Sequence, residues 1–197
     1  MMNIDALIKH RSKLAGMTTQ ELEDYRQEMF EEYQLFVKEW TEDCFPLDEF
    51  PYSYPELVIN KRSTSTMGFY NHKHRYIEIS DYVLLSGNEK EIKDTLKHEI
   101  IHYVCHVSGK QYRDGQKEFE DMLKAYEAPS NYDDFRTIED ILQKMHVYRC
   151  NCCIRLSARK YNNRRCSCKS KIDFVETTYT CVALYKHENP DVKVYEW

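Results

Sequence analysis

The segment LKHEIIHYVCHVSGK, residues 96–110, carries His98, Glu99, His102 and His106. On a helix, residues four apart stand one turn above each other on the same side. His98 and His102 can then aim imidazole nitrogens at one ion, about 2.0–2.1 Å away. Glu99 projects beside them, able to take a proton from a metal-bound water without being a ligand itself. Coordination lowers the pKa of that water toward about 7, which makes a nucleophile at neutral pH. The plain alternative is a surface helix that merely contains two histidines. His106 does not complete the site, because three successive i,i+4 histidines span about 12 Å along the axis. It reads as a helix-face residue hydrogen-bonded near the site. His72, His74 and His187 read as surface histidines, and Tyr103 and Tyr112 lie near enough in sequence to assist an oxyanion.

A second cluster is made of thiols. Of the eight cysteines, Cys150, Cys152, Cys153, Cys166 and Cys168 fall within one 19-residue window, while Cys44, Cys105 and Cys181 read as small buried hydrophobes. In a reducing compartment, such clustering suggests ligands for a structural metal rather than disulfides. Cys150 and Cys153 form a C-x-x-C, Cys166 and Cys168 a C-x-C, with 12 residues between Cys153 and Cys166. Two short cysteine loops joined by a hairpin are how a zinc ribbon gathers four thiolates on one tetrahedral ion. A lobe this small has little apolar core, so the metal would supply most of its folding energy. The second pair is one residue short of a C-x-x-C. Cys152 can replace Cys150 or Cys153, and His146 or Cys181 can stand in; an apo, degenerate ribbon is the alternative.

The charge is unevenly spread. From His146 to Ile172 there are eight basic residues and no acidic one, and with those set aside 20 basic residues face 33 acidic ones. Arg155, Arg159, Lys160, Arg164 and Arg165 are the candidate phosphate contacts, with Tyr148 and Tyr161 as rings for base stacking. The alternative is a solvated basic hairpin docked on the chain's own acidic body.

These clusters need elements to hold them. Residues 18–40 predict a helix with a capping box at Thr18 and Glu21. Segments 57–60, 67–71 and 74–80 predict short strands, with a turn at Asn71 to Lys73 and a small antiparallel sheet. The histidine helix is expected over roughly 88–107, with Asn88 as its cap and Gly109 as its stop. Its apolar stripe is Ile92, Leu96, Ile100, Tyr103, Val104 and Val107, nearly opposite the histidines. Further helices are expected at about 115–126 and from 137 through Met145, and short strands from Val147. The N-terminal MMNIDALIKHRSKL has no apolar core of signal-peptide length, and no apolar run reaches about 18 residues. A cytoplasmic protein without a membrane segment is expected.

HEIIHYVCHVSGKQYRDGQKEF, the N-terminal helix, Gly68-Phe69-Tyr70 and the cysteine ribbon together resemble the SprT-like metallopeptidase family. The likeness spans roughly residues 18–172 and is sharpest from the histidine helix to Phe119. The family's eukaryotic relative, Spartan, is a protease for DNA–protein crosslinks. The resemblance implies an α+β fold: a zincin-like helical domain with a small antiparallel sheet over residues 1–144, a zinc ribbon over 145–183 and a tail over 184–197. It implies a zinc endopeptidase with His98 and His102 as ligands and Glu99 as base. The family's third histidine falls at Asp114, whose carboxylate can bind zinc at about 2.0–2.2 Å. Glu118, Glu120 and Asp121 on the next helix are the competing donors. The implied partners are a protein substrate and single-stranded DNA or another nucleic acid. The rival reading is a non-catalytic, zinc-containing nucleic-acid-binding or regulatory protein.

Overall fold

The structure, a computed structural model, describes residues 4–46, 52–63, 66–86, 88–130, 142–162 and 164–196. In chain order the elements are α1 (Ile4–Gly16), α2 (Thr19–Cys44), β1 (Glu56–Asn60), β2 (Gly68–Asn71), β3 (Tyr76–Ser80), α3 (Asp81–Leu84), α4 (Glu89–Val107), α5 (Lys117–Ala125), β4 (Gln143–Arg149), β5 (Ile154–Ser157), β6 (Asp173–Thr180), α6 (Val182–Glu188) and β7 (Val194–Glu196). Two compact units form, one within Glu23–Leu84 and Asn88–Arg136, the other within Met1–Leu22, Leu85–Gly87 and Thr137–Trp197. The protein is a mixed α and β structure with two small mixed sheets.

The first unit holds the histidine helix. Asn88 caps α4 by accepting the Glu91 N–H at 3.3 Å. The helix stops where Gly109 turns left-handed at φ 71°, and the Lys110 N–H returns to the Cys105 carbonyl at 2.8 Å. The predicted stripe is buried at Ile92, Leu96, Ile100, Tyr103 and Val104. α4 packs on β2, β3, α3 and α5. The sheet has order β1-β3-β2, with β1 parallel and β2 antiparallel to β3. The expected all-antiparallel sheet is thereby corrected. Only β2 and β3 are joined by a tight turn, in which the Asn71 carbonyl accepts from Arg75 at 2.7 Å. The chain between β1 and β2 is long enough to cross to the far edge of β3, which makes β1 and β3 parallel neighbours.

The second unit is built on the sheet β6-β4-β5-β7. Met145, Val147, Ile154, Leu156, Val182, Tyr185 and Val194 form its core. α1 packs on β6 and α6 and is tied to α6 by a two-pronged ion pair, Arg11 to Glu188 at 2.8 and 2.6 Å. The Thr18 capping box forms in both directions: Thr18 N–H donates to Glu21 at 2.7 Å and Glu21 N–H to the Thr18 hydroxyl at 3.2 Å. The helix expected from 137 is corrected over its described part, because Gln143 to Met145 are extended and paired with Thr180 to Thr178; residues 137–141 lie outside the described residues. Gln143, Met145 and Val147 are buried at alternate positions, and that period of two serves a strand. The residues after 183, read as a tail, carry most of α6 and all of β7.

Candidate metal centre

α4 stacks His98 and His102 on one side, and α5 returns beside it to close the site. Phe119 of α5 is fully buried, its ring stacked on His102 at 4.1 Å between centroids and edge-on to His98 at 5.4 Å. Burying a phenylalanine side chain contributes about 1.5–3 kcal/mol, and here it also fixes both imidazole planes. The histidine face is therefore not presented to solvent: His98 is only 1% exposed.

Each histidine is oriented from behind. His98 Nδ1 lies 2.8 Å from the Pro129 carbonyl and His102 Nδ1 lies 2.5 Å from the Tyr112 carbonyl. A carbonyl only accepts, so both Nδ1 atoms carry the proton and both Nε2 atoms present lone pairs. Those Nε2 atoms face each other at 3.0 Å, and one Asp114 oxygen lies 3.1 Å from that of His98 and 3.7 Å from that of His102. Three acceptors with no proton among them repel, and a cation at their centre reverses the sign. Three donors about 2.0–2.1 Å from a tetrahedral ion would stand about 3.3–3.4 Å apart, which these spacings bracket. Burial pushes His102 below its ordinary pKa, overriding the raising influence of Glu99, so the imidazole stays neutral as a ligand must.

The loop that delivers Asp114 has defined supports. Gly115 is left-handed at φ 76°, and its N–H donates to Glu120 at 2.8 Å. Glu120 also accepts from Ser130 at 2.8 Å, and Glu118 accepts the Gln111 N–H at 2.8 Å. Asp121 pairs with Lys117. All three competing carboxylates are thus engaged away from the histidines, and among the described residues Asp114 is the one that converges on them.

Glu99 is 5% exposed, one residue from His98, under strand β2. Gly68 makes this possible. A Cβ there would stand 2.6 Å from Thr95 Cγ2, 3.0 Å from Glu99 Cγ and 3.3 Å from Glu99 Oε1. Gly68→Ala is expected to destabilise the first unit by about 1–3 kcal/mol. Thr95→Ser, which removes the opposing methyl, should restore part of that in thermal denaturation. A neutral Gly68→Ala would show that β2 moves freely off α4.

Of the remaining expectations, His106 stays out of the donor set and is instead hydrogen-bonded through Nδ1 to the Tyr70 hydroxyl at 2.8 Å. Burial raises that hydroxyl's pKa to about 12, which keeps it protonated. His72 is exposed near His106 and Tyr112, and His74 stacks on Tyr76. Tyr103 gives its hydroxyl to the Ser53 carbonyl. Packing at Phe119 is expected from the family resemblance and is found; the two carbonyls behind the histidines and Gly68 as spacer have no counterpart in the sequence reading. Main-chain acceptors leave no mark in side-chain pattern, whereas Gly68 belongs to the Gly68-Phe69-Tyr70 segment that carries part of the family resemblance.

In the second unit the cysteines converge. Cys150 Sγ lies 3.5 Å from Cys152, 3.4 Å from Cys153 and 4.0 Å from Cys168. Cys166 lies 3.6 Å from Cys152 and 3.7 Å from Cys153. Thiolates about 2.3 Å from a tetrahedral zinc stand about 3.8 Å apart, so the spacing fits. The expected set was Cys150, Cys153, Cys166 and Cys168; the set Cys150, Cys152, Cys166 and Cys168 has all its sulfurs within 4.8 Å of one another. The Cys166 thiol is lowered to about 5, chiefly by the Cys168 backbone N–H. The substitutes do not join: His146 meets the Thr177 hydroxyl at 2.8 Å, and Cys181 accepts from Leu184 N–H. Protein purified without chelator should carry close to two zinc per chain, and Cys150→Ser with Cys153→Ser should leave one. Single Cys152→Ser and Cys153→Ser variants decide the fourth ligand, because only the true one weakens retention. A wild-type content near one would remove one of the two sites.

The basic side chains lie on the same lobe. Lys160 Nζ stands 4.8 Å from the Phe174 ring, the Arg164 guanidinium 3.7 Å from Tyr161, and that of Arg155 5.2 Å from Tyr195. Arg165 donates to the Lys169 carbonyl at 3.1 Å, and Arg159 N–H to the Ser157 hydroxyl at 3.2 Å. Tyr148 is corrected as a stacking ring: it is 3% exposed, its hydroxyl accepts from Tyr161 N–H at 2.6 Å, and its ring belongs to a core with Cys153, Cys166 and Ile172. Phe174 and Tyr195, 45% and 46% exposed, are the open rings.

Fold and donors define a mixed α and β protein with a candidate three-donor metal centre and a candidate four-thiolate site. The model of the SprT-like family matches residues 26–137. The protein called SprT-like from Oceanobacillus iheyensis is 30% identical over 115 residues, 57% of this chain and 75% of that one. Its namesake in Bacillus cereus is 30% identical over 154 residues, 75% of this chain and 97% of that one. No solved structure matches. The chain belongs to the SprT-like family. Among the described residues no helix is long and apolar enough to cross a membrane.

Proposed function

We propose that the chain is a cytoplasmic zinc-dependent endopeptidase of the SprT-like type, acting on proteins that include nucleic-acid-bound ones. The observation that carries this is the convergence of His98, His102 and Asp114 on one point, with buried Glu99 next to His98 on the same helix. Zinc held by those three residues would supply Lewis acidity, polarising the scissile carbonyl and acidifying a water. Glu99 takes the proton of the attacking water and returns it to the leaving amine. Pro129 and Tyr112, through their carbonyls, keep both histidines in the liganding tautomer. The cysteine lobe would hold a second, structural zinc.

The test is degradation of an unfolded protein such as casein by the purified, zinc-loaded chain, with and without single-stranded DNA. Cleavage that stops with chelator and returns with zinc supports the reading. A chain that retains the ion and cleaves nothing under either condition sinks it. The second reading, a non-catalytic zinc-containing nucleic-acid-binding or regulatory protein, would then stand; it draws support from the anionic Asp114 donor, which weakens the ion as a Lewis acid.

The nucleic-acid part of the reading rests on Arg155, Arg159, Lys160, Arg164 and Arg165. Each phosphate they neutralise gives salt-dependent, sequence-independent affinity. Reversing Arg159 and Lys160 to Glu is expected to weaken single-stranded DNA binding and flatten its salt dependence. Binding unchanged by the reversal, or absent at low salt, favours a hairpin that serves only the chain itself.

A further inference from the structure

The loop between α4 and α5 divides its residues between two tasks. The N–H groups of Gln111, Arg113 and Gly115 donate to side-chain oxygens of Glu118, Gln116 and Glu120, each at 2.8 Å. The residues between them serve the histidines. Tyr112 offers its carbonyl to His102 Nδ1 at 2.5 Å, and Asp114 brings one oxygen to 3.1 and 3.7 Å from Nε2 of His98 and His102. Every second residue thus holds on to α5, and the two in between face the metal centre.

The acceptors all come from the start of α5. Gln116 stands at the N-cap, yet its side chain makes no capping bond; its oxygen is committed to Arg113 instead. Glu118 and Glu120 lie in the first turn and accept from amides 7 and 5 residues upstream. A backbone N–H given to a carboxylate is charge-assisted and roughly twice as strong as a neutral hydrogen bond.

Glu120 reaches furthest. Its second oxygen accepts from the Ser130 hydroxyl at 2.8 Å. Gly115 follows Asp114 in the chain, and Ser130 follows Pro129, whose carbonyl lies 2.8 Å from His98 Nδ1. One half-buried carboxylate therefore grips the segment that delivers the third donor and the segment that orients the first histidine.

We infer that Glu120 is a positioning residue of the metal centre, clamping the Asp114 loop to the Pro129 segment so that the donors stand in place before an ion arrives. It is not a ligand, and this role rests on the reading of His98, His102 and Asp114 as the donor set. Order established in advance is not lost on binding, so the clamp raises affinity for the ion.

The experiment is competition for zinc between the full chain and a chromophoric chelator, with Asp114→Ala marking the step that belongs to the histidines. Glu120→Ala is expected to weaken that step about 10- to 100-fold, the usual cost of losing a group that orients ligands, and to leave the thiolate step unchanged. Glu120→Gln should stay near wild type, because the amide oxygen still accepts from Gly115 and the NH₂ can donate to the Ser130 hydroxyl. Ser130→Ala should weaken the step less than Glu120→Ala and add nothing to it in the double variant. Asp121→Ala, which removes a carboxylate of the same helix that pairs with Lys117, should not move it.

A Glu120→Ala chain that binds the first zinc like wild type, while Asp114→Ala has lost it, overturns the clamp and leaves the metal centre standing. Equal weakening in Glu120→Gln and Glu120→Ala, or in Asp121→Ala, overturns it in favour of helix charge alone. If Glu120→Ala also releases the thiolate zinc, its fold has failed and Ser130→Ala decides: unchanged affinity there overturns the clamp. A wild-type chain with no zinc at the histidines overturns the metal centre and the clamp with it.

Discussion

Glu99→Gln is expected to lower cleavage by about 10²- to 10⁴-fold while zinc content and thermal stability stay at wild-type values. The amide keeps the size and burial of the carboxylate under β2, so the packing with Gly68 and Thr95 survives. What it loses is the capacity to accept a proton from water and pass it to the amine. That range corresponds to about 3–5 kcal/mol of transition-state stabilisation, the measure of one positioned acid–base group. Zinc retention matters as much as lost activity. A variant that loses both has merely lost its site, and one that loses neither excludes Glu99 as the base.

Asp114→Ala is expected to release the first zinc and leave the thiolate zinc in place, so content falls from near two to near one. Loss of a group that only orients a ligand costs about 10- to 100-fold in affinity, and removal of a donor should exceed that. Asp114→His should keep the ion, since it restores a neutral nitrogen at the same loop position. With aspartate, the extra negative charge makes the ion a weaker acid and raises the pKa of its water. The wild-type chain should therefore cleave with a more alkaline optimum than Asp114→His, read directly from the two pH–rate profiles. Full retention of zinc by Asp114→Ala, with loss in Glu118→Ala or Glu120→Ala, would falsify the assignment. The structure argues against that outcome, because Glu118 and Glu120 hold the amides of Gln111 and Gly115.

The parts of this architecture that the sequence makes legible are those written in side chains at short range. The histidine pair, its helix, the Asn88 cap and the Gly109 stop all depend on residues within a few positions of one another. Asp114 was legible only through resemblance, since a single aspartate in a loop carries no period. Strand order was less accessible: β1 and β3 are direct parallel neighbours although β2 lies between them in sequence, a long-range outcome that local alternation cannot encode. The stretch from 137 misled because apolar spacing that serves a helix also places Gln143, Met145 and Val147 on one face of a strand. Tyr148 looked like a stacking ring because exposure is decided by partners, and its partners are cysteines and Ile172. The tail was read as plain because a three-residue strand such as β7 is visible only once β5 is there to receive it.

The histidine bonds to Pro129 and Tyr112 carry a topological consequence. These carbonyls lie 31 and 10 residues along the chain from their histidines, and Asp114 approaches from between them. An ion seated among the three donors is thus a cross-link, closing nested loops that would otherwise be held by single hydrogen bonds and the weight of Phe119. Closure of such loops removes conformations from the open chain, and the entropy it offsets grows only slowly with their length. Stripping such an ion would free the segment around Asp114 first, because it alone among the three donors is half-exposed and anchored in no helix. On the proposed reading, the ion that would equip Glu99 to act would also set how often the main chain around it opens to exchange, to chelators and to proteases.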